Sequence, residues 1–149
     1  MSNDKPEKKA GDSTQKVFEE VEHTADYAIK IYGKNLQELL INAAVGMNCL
    51  MSPKYRVSDR EEEKTIKLEA PDAEGLLVEW LGELAYWAEI EMLIFSNFNL
   101  HSVSPTRVEA TINGRRAAEL EKHIKAVTYH NLEIIYTKEG LTATVVFDV

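Results

Sequence analysis

Residues 27–51 read YAIKIYGKNLQELLINAAVGMNCLM, and within them the spacing of apolar side chains changes. Ile29 and Ile31 alternate with Lys30 as far as Gly33, the pattern of a strand with one buried face. From Leu36 onward the apolar positions are three and four apart: Leu36, Leu39, Leu40, Ala43, Ala44, Met47, Leu50 and Met51. That spacing puts them on one side of an α-helix. Asn35 stands at the cap position, Glu38 follows three residues later in the manner of a capping box, and Pro53 ends the helix. A strand running directly into an amphipathic helix sets the expectation of an α+β fold.

Working outward, residues 17–22 form a second short strand candidate, joined to the first through His23, Thr24, Ala25 and Asp26. Downstream, SDREEEKTIKLEA (58–70) starts charged and becomes alternating at Ile66 and Leu68, which predicts a solvated loop at Glu61–Glu63 feeding a strand. Asp72 caps a second helix, AEGLLVEWLGELAYWAEIEML (73–93), whose apolar face carries Leu77, Trp80, Leu81, Leu84, Trp87 and Ala88. At helical spacing the two tryptophans are read as core anchors rather than as a platform for nucleic-acid bases.

The remainder is β-rich. In RVEATINGRRAAEL (107–120), Asn113-Gly114 between alternating arms predicts a hairpin turn, because both turn positions favour positive φ. LEIIYTKEGLTATVVFDV (132–149) repeats the device around Gly140, while EKHIKAVTYHN (121–131) is ambiguous between a helical turn and a strand. The expected fold is α+β: two main amphipathic helices packed on a sheet built mostly from hairpins.

A chain of 149 residues with 44% hydrophobic content supports one substantial core. Residues 1–16 hold Pro6 and Gly11 but no aromatic residue or valine, so a disordered tail is expected there and a single domain over 17–149. The formal net charge is −8. Lys5, Lys8, Lys9 and Lys16 outweigh Asp4, Glu7 and Asp12 by one, so the expected domain carries −9. Such a surface argues against direct nucleic-acid binding, which relies on clustered cations. With no signal-peptide pattern and no long apolar run, neither export nor membrane insertion is expected, and the chain reads as cytoplasmic. The lone Cys49 falls within an apolar pattern and is expected to be a packed thiol.

No glycine-rich phosphate loop, HExxH helix, nucleophile elbow or CxxC pair is present, so no catalytic residue is assigned. Asp26, where a strand restarts, has the ordinary role of accepting backbone hydrogen bonds in a tight turn. Asp148 lies beside the terminal carboxylate of Val149, and adjacent anions repel unless a cation lies between them. Lys125, flanked by Ile124 and Ala126, is either a solvated lysine on an edge strand or a charge that meets an anionic partner.

Five segments together carry a family resemblance: HTADYAIKIYG (23–33), LQELLINAAVGMNCLM (36–51), LLVEWLGELAYWAE (76–89), KAVTYHNLEI (125–134) and FDV (147–149). In this order, and covering residues 18–149, they resemble archease, the accessory protein of the RtcB-type RNA ligase. The resemblance implies a chaperone-like activator that is not itself an enzyme. It would promote guanylylation and repeated turnover of a GTP- and metal-dependent RNA ligase in tRNA splicing and RNA repair. It also implies a divalent-cation site, for Ca²⁺, Mg²⁺ or Mn²⁺, held by Asp26 and Asp148, with the carboxylate of Val149 as a further ligand. Lys125 is implied as the contact to the ligase, and His23 either orients Asp26 or is a satisfied polar residue on the same partner-facing surface. The competing expectations are an interaction domain whose acidic groups bind metal without activating a ligase, and a metal-dependent hydrolase.

Overall fold

The alternating run becomes strand β2 (Tyr27–Gly33), and the three-and-four run becomes helix α1 (Leu36–Met51). These come from a computed structural model that describes residues 16–22, 26–56 and 60–149. Of the expected tail over 1–16 all but Lys16 lies outside the described residues, as does His23.

Both helix starts are built as their sequences dictate. Asn35 accepts from the Glu38 amide at 2.9 Å, and the Glu38 carboxylate accepts from the Lys34 amide at 2.8 Å. The back-bond reaches one residue beyond the usual capping-box partner, but it still satisfies a backbone donor at the helix entrance. Helix α2 (Ala73–Glu91) starts at Asp72, which accepts from the Gly75 amide at 2.7 Å. Each helix ends on a left-handed residue, Ser52 with φ 48° and Met92 with φ 56°.

The remaining strands are β1 (Phe18–Glu22), β3 (Pro53–Tyr55), β4 (Glu62–Glu69), β5 (Leu93–Ser104), β6 (Arg107–Leu120), β7 (Ala126–Thr128), β8 (Ile135–Thr137) and β9 (Gly140–Asp148). They form two antiparallel sheets, where the sequence suggested one. One runs β1-β2-β9-β7 with β8 also on β9; the other runs β3-β6-β4 with β5 also on β6. Helix α1 packs on β2 and β5, and α2 on β5 and β7, so the helix pair contacts both sheets. Ile29 pairs with Val145 and Ile31 with Ala143 on the core face. Trp80 is fully buried, and its indole N–H donates to the Leu40 carbonyl at 2.8 Å, fastening α2 to α1. Trp87 is only partly buried. Its indole donates to Glu83 at 3.1 Å and its ring carries the Lys64 ammonium 4.4 Å from the centroid.

Three local expectations are corrected. Asn113 and Gly114 make no turn: β6 runs straight through them. Gly114 is there for space, since a Cβ would collide with the carbonyl oxygen of Ile94 and lie 2.7 Å from the Cα of Phe95, beside the β5 bulge between Phe95 and Asn97. The Gly140 turn does form, with φ 133° at the glycine. Strand β4 begins at Glu62, earlier than the charged run suggested, and Glu62 pairs with Arg116 at 2.6 Å. Cys49 is exposed, because it lines up along α1 with Asn42 and Val45 rather than with the buried stripe through Ala43, Met47 and Leu50.

Candidate functional site

Asp26 occupies a bend one residue before β2, and Asp148 is the last residue of β9. The antiparallel register pairs Ala28 with Val146 and Tyr27 with Phe147. The ladder ends at that pair, so Asp26 in its bend and Asp148 at the end of β9 each lie one residue beyond it, at the same end of the sheet. Two residues far apart in sequence thus lie at one end of the sheet because β2 and β9 are ladder neighbours. The step before them is rigid: Phe147 is fully buried, and Val146 and Ala28 are nearly so.

On the other side of β9, Ala126 pairs with Asp148, and the Lys125 amide donates to the Asp148 carbonyl at 2.7 Å. Val149 packs its side chain against the core, which fixes the terminal carboxylate near the end of the sheet. The β6–β7 connection is held from below, where the amides of Glu121 and Lys122 both donate to Met51 at the end of α1. The Lys122 ammonium then lies 4.9 Å from the centroid of the Tyr27 ring, next to Asp26.

The donor chemistry suits a hard cation. Asp26, Asp148 and the Val149 carboxylate are all oxygen ligands, the kind that Ca²⁺, Mg²⁺ and Mn²⁺ take, and three would leave positions for water. Among the described residues no group of three or more His, Cys, Asp and Glu side chains gathers to hold a metal. Within the described residues, such a site would draw on the terminal carboxylate or on water to supplement two side chains. Lys125 is exposed and has no ion pair among the described residues, whereas His123 pairs with Glu89 of α2 at 2.9 Å. Thr128 ends β7, and the chain then turns tightly through Tyr129, His130 and Asn131, with the Leu132 amide donating to the Tyr129 carbonyl at 3.0 Å.

A second feature escaped sequence reasoning. Tyr86 and Ile90 project from α2 into solvent beside β7, bordering a groove of about 420 Å³ whose rim includes Lys125. The signal was the spacing of four between two large apolar side chains, but α2 is apolar around so much of its circumference that the exposed pair does not stand out.

Residues 18–149 match the sequence profile of the Archease protein family (MTH1598/TM1083). The chain is 37% identical over 146 residues to protein archease of Methanosarcina barkeri, covering 92% of this chain and 99% of that one. It is 34% identical over 125 residues to protein archease of Sulfurisphaera tokodaii, covering 78% and 87%. Among solved structures, protein 1598 of Methanobacterium thermoautotrophicum superposes with a TM-score of 0.63 at 29% identity, covering 89% of this chain and 98% of that one. A Thermotoga maritima protein described as an archease, possible chaperone, gives 0.65 at 24% identity, covering 91% and 100%, and speaks for the fold. No helix among the described residues is long and apolar enough to cross a membrane.

Proposed function

The chain belongs to the archease family, and from that premise we propose that it activates a GTP- and metal-dependent RNA ligase of the RtcB type in tRNA splicing and RNA repair. The observation that supports the reading is the β2–β9 ladder, whose last pair Tyr27–Phe147 leaves Asp26 and Asp148 at the same sheet end, with Lys125 on the adjoining strand connection. Carboxylates gathered at one sheet end repel one another, and a divalent cation between them removes that repulsion. Asp26 and Asp148 hold the cation, Val149 contributes its terminal carboxylate, and water fills the remaining positions. When bound, the cation supplies a positive centre that can engage oxygen ligands of a partner. Lys125 adds a second positive group near the same sheet end and faces the ligase. The net charge of −8 accords with a helper that leaves RNA binding to its partner.

The test is multiple-turnover ligation of RNA ends bearing a 2′,3′-cyclic phosphate to 5′-hydroxyl ends, with the cognate ligase limiting. Joined product should exceed one equivalent of ligase only when the wild-type chain is present, and guanylylated ligase should accumulate faster. Asp148→Asn and Lys125→Ala should each lose most of this stimulation. Identical yields with and without the wild-type chain defeat the activator reading. Hydrolysis of the cyclic phosphate by the chain alone would favour the hydrolase instead.

A further inference from the structure

We propose that the hollow between β9 and the β7–β8 connection binds a small free α-amino acid as its zwitterion. The hollow exists because the sheet is interrupted along one edge. Strand β7 pairs with residues 146–148 of β9 and β8 with residues 140–142, so Ala143, Thr144 and Val145 have no ladder partner on that side. The intervening chain is held away from them by its own bonds. Asn131 is left-handed with φ 50°, the Leu132 amide donates to the Tyr129 carbonyl at 3.0 Å, and the Ile134 amide donates to Glu74 of α2 at 2.9 Å. Between them lies an opening of about 250 Å³, smaller than the clefts that take drug-sized ligands, which limits an occupant to a few heavy atoms.

The two walls of the hollow carry opposite chemistry. On the sheet wall, Lys30 of β2 is paired in register with Thr144, and Thr142 stands two residues along β9. Lys30 brings an ammonium, 5.5 Å from the centroid of the Tyr32 ring, and the threonines bring hydroxyls that make no hydrogen bond among the described residues. On the loop wall, Glu133 brings a carboxylate, and Asn131, whose amide nitrogen lies 3.3 Å from Nε2 of His130, keeps its carbonyl oxygen as an acceptor. Lys30 and Glu133 do not pair with each other, and neither has another ion pair among the described residues. Glu19, across from Lys30 on β1, accepts from the Tyr32 hydroxyl at 3.2 Å and meets Lys16 at 3.6 Å. A simple anion here meets Glu133 and a simple cation meets Lys30, whereas a molecule bearing both charges offers each group its complement. The carboxylate of an α-amino acid goes to Lys30 and the threonine hydroxyls, and its ammonium to Glu133 and Asn131. Ile135 on the rim gives a short side chain an apolar neighbour. The inference is independent of the activator reading, since none of these residues belongs to the proposed cation site.

The experiment follows amide shifts of the ¹⁵N-labelled full chain at constant ionic strength while adding L-alanine, L-lactate, which lacks the ammonium, or L-alaninamide, which lacks the carboxylate. Alanine should move the amides of Asn131, Glu133, Thr142 and Thr144 saturably, with a Kd on the order of millimolar because so few atoms make contact. Lactate and alaninamide should each bind at least about tenfold more weakly, the scale of one lost charge-assisted contact. Glu133→Gln should erase the preference over lactate, and Lys30→Met the preference over alaninamide. Both side chains lie outside the core, so the remaining amide spectrum of each variant should match the wild type. Absent, scattered or non-saturating shifts with alanine overturn the proposal, as does equal affinity for alanine and lactate. A double-mutant cycle showing Lys30 and Glu133 already coupled in the ligand-free chain overturns it too, because the two charges then satisfy each other.

Discussion

The backbone N–H of Lys125 donates to the carbonyl of Asp148 over 2.7 Å. This bond ties the β6–β7 connection to the last strand, so a cation held by Asp148, as proposed, would sit beside Lys125. Asp148 is exposed and makes no side-chain hydrogen bond or ion pair among the described residues, so its carboxylate is available to a cation while its backbone is spoken for.

On the proposed site, cation binding should stabilise the chain, and the gain should vanish with either aspartate. At a hundredfold excess of Mn²⁺ or Ca²⁺ over its Kd the gain is about 2.7 kcal/mol. For a chain of this size that is a rise in Tm of roughly 5 to 10 °C. Asp148→Asn, melted with the cation and again with EDTA, should give the same midpoint in both. In EDTA it should equal or slightly exceed the wild type, because one of the carboxylates at this sheet end has been neutralised. A cation-dependent rise as large as the wild type's would remove Asp148 from the ligand set.

The helix caps set a second expectation. Asn35→Ala removes the acceptor for the Glu38 amide, and Asp72→Ala the acceptor for the Gly75 amide. Each should cost about 1 kcal/mol, read from urea midpoints at an unchanged m-value. A glycine in place of either cap should cost only a few tenths of that.

Tyr55 provides a pH dependence. Burial raises its pKa above the ordinary value of 10.0, and the guanidinium of Arg115, 4.3 Å from the ring centroid, lowers it in part. The folded state thus favours the neutral phenol. The stability tied to Tyr55 is fully present below the unfolded pKa, about 10, and is lost as pH rises through the higher folded value. Unfolding free energy followed from pH 8 to 11 should fall more steeply for the wild type than for Tyr55→Phe. Removing the cation with Arg115→Met should push the phenol's ionisation still higher, seen as a later rise in phenolate absorbance. An earlier rise would mean that Arg115 does not act on Tyr55 as its position implies.

How far the sequence discloses this protein follows from the range of each signal. Helices α1 and α2 are legible because cap, stripe and stop all lie within one segment, and the bounds Leu36–Met51 coincide with the apolar run. The β2–β9 pairing is not local: nothing in either strand names the other, so Asp26 and Asp148 were joined by family likeness rather than by spacing. The N-terminal side of the site, at His23, lies outside the described residues. Tyr86 and Ile90 were missed because a helix facing two sheets is apolar on most sides, and exposure is decided by how far β7, only Ala126–Thr128, extends along it. Asn113-Gly114 misled for a related reason. The turn code scores two residues and their own φ angles, whereas here the glycine answers to the backbone of β5.

That last distinction can be tested with two glycines of opposite meaning. At Gly114 an alanine Cβ would run into backbone atoms, the oxygen of Ile94 and the Cα of Phe95, which cannot swing aside as a flexible side chain would. Gly114→Ala should therefore force β5 and β6 apart near the bulge and cost about 1 to 3 kcal/mol, as overpacked cores do. At Gly82, within α2, a Cβ would meet nothing within 4 Å. Gly82→Ala should instead stabilise by about 0.5 to 1 kcal/mol, because it removes backbone freedom from the unfolded chain without a clash. The pair is measured by chemical denaturation under one set of conditions, and the sign of each change decides the matter. If Gly114→Ala were neutral, the strand would have room that its register denies, and the flexible turn suggested by Asn113-Gly114 would regain its claim on this segment.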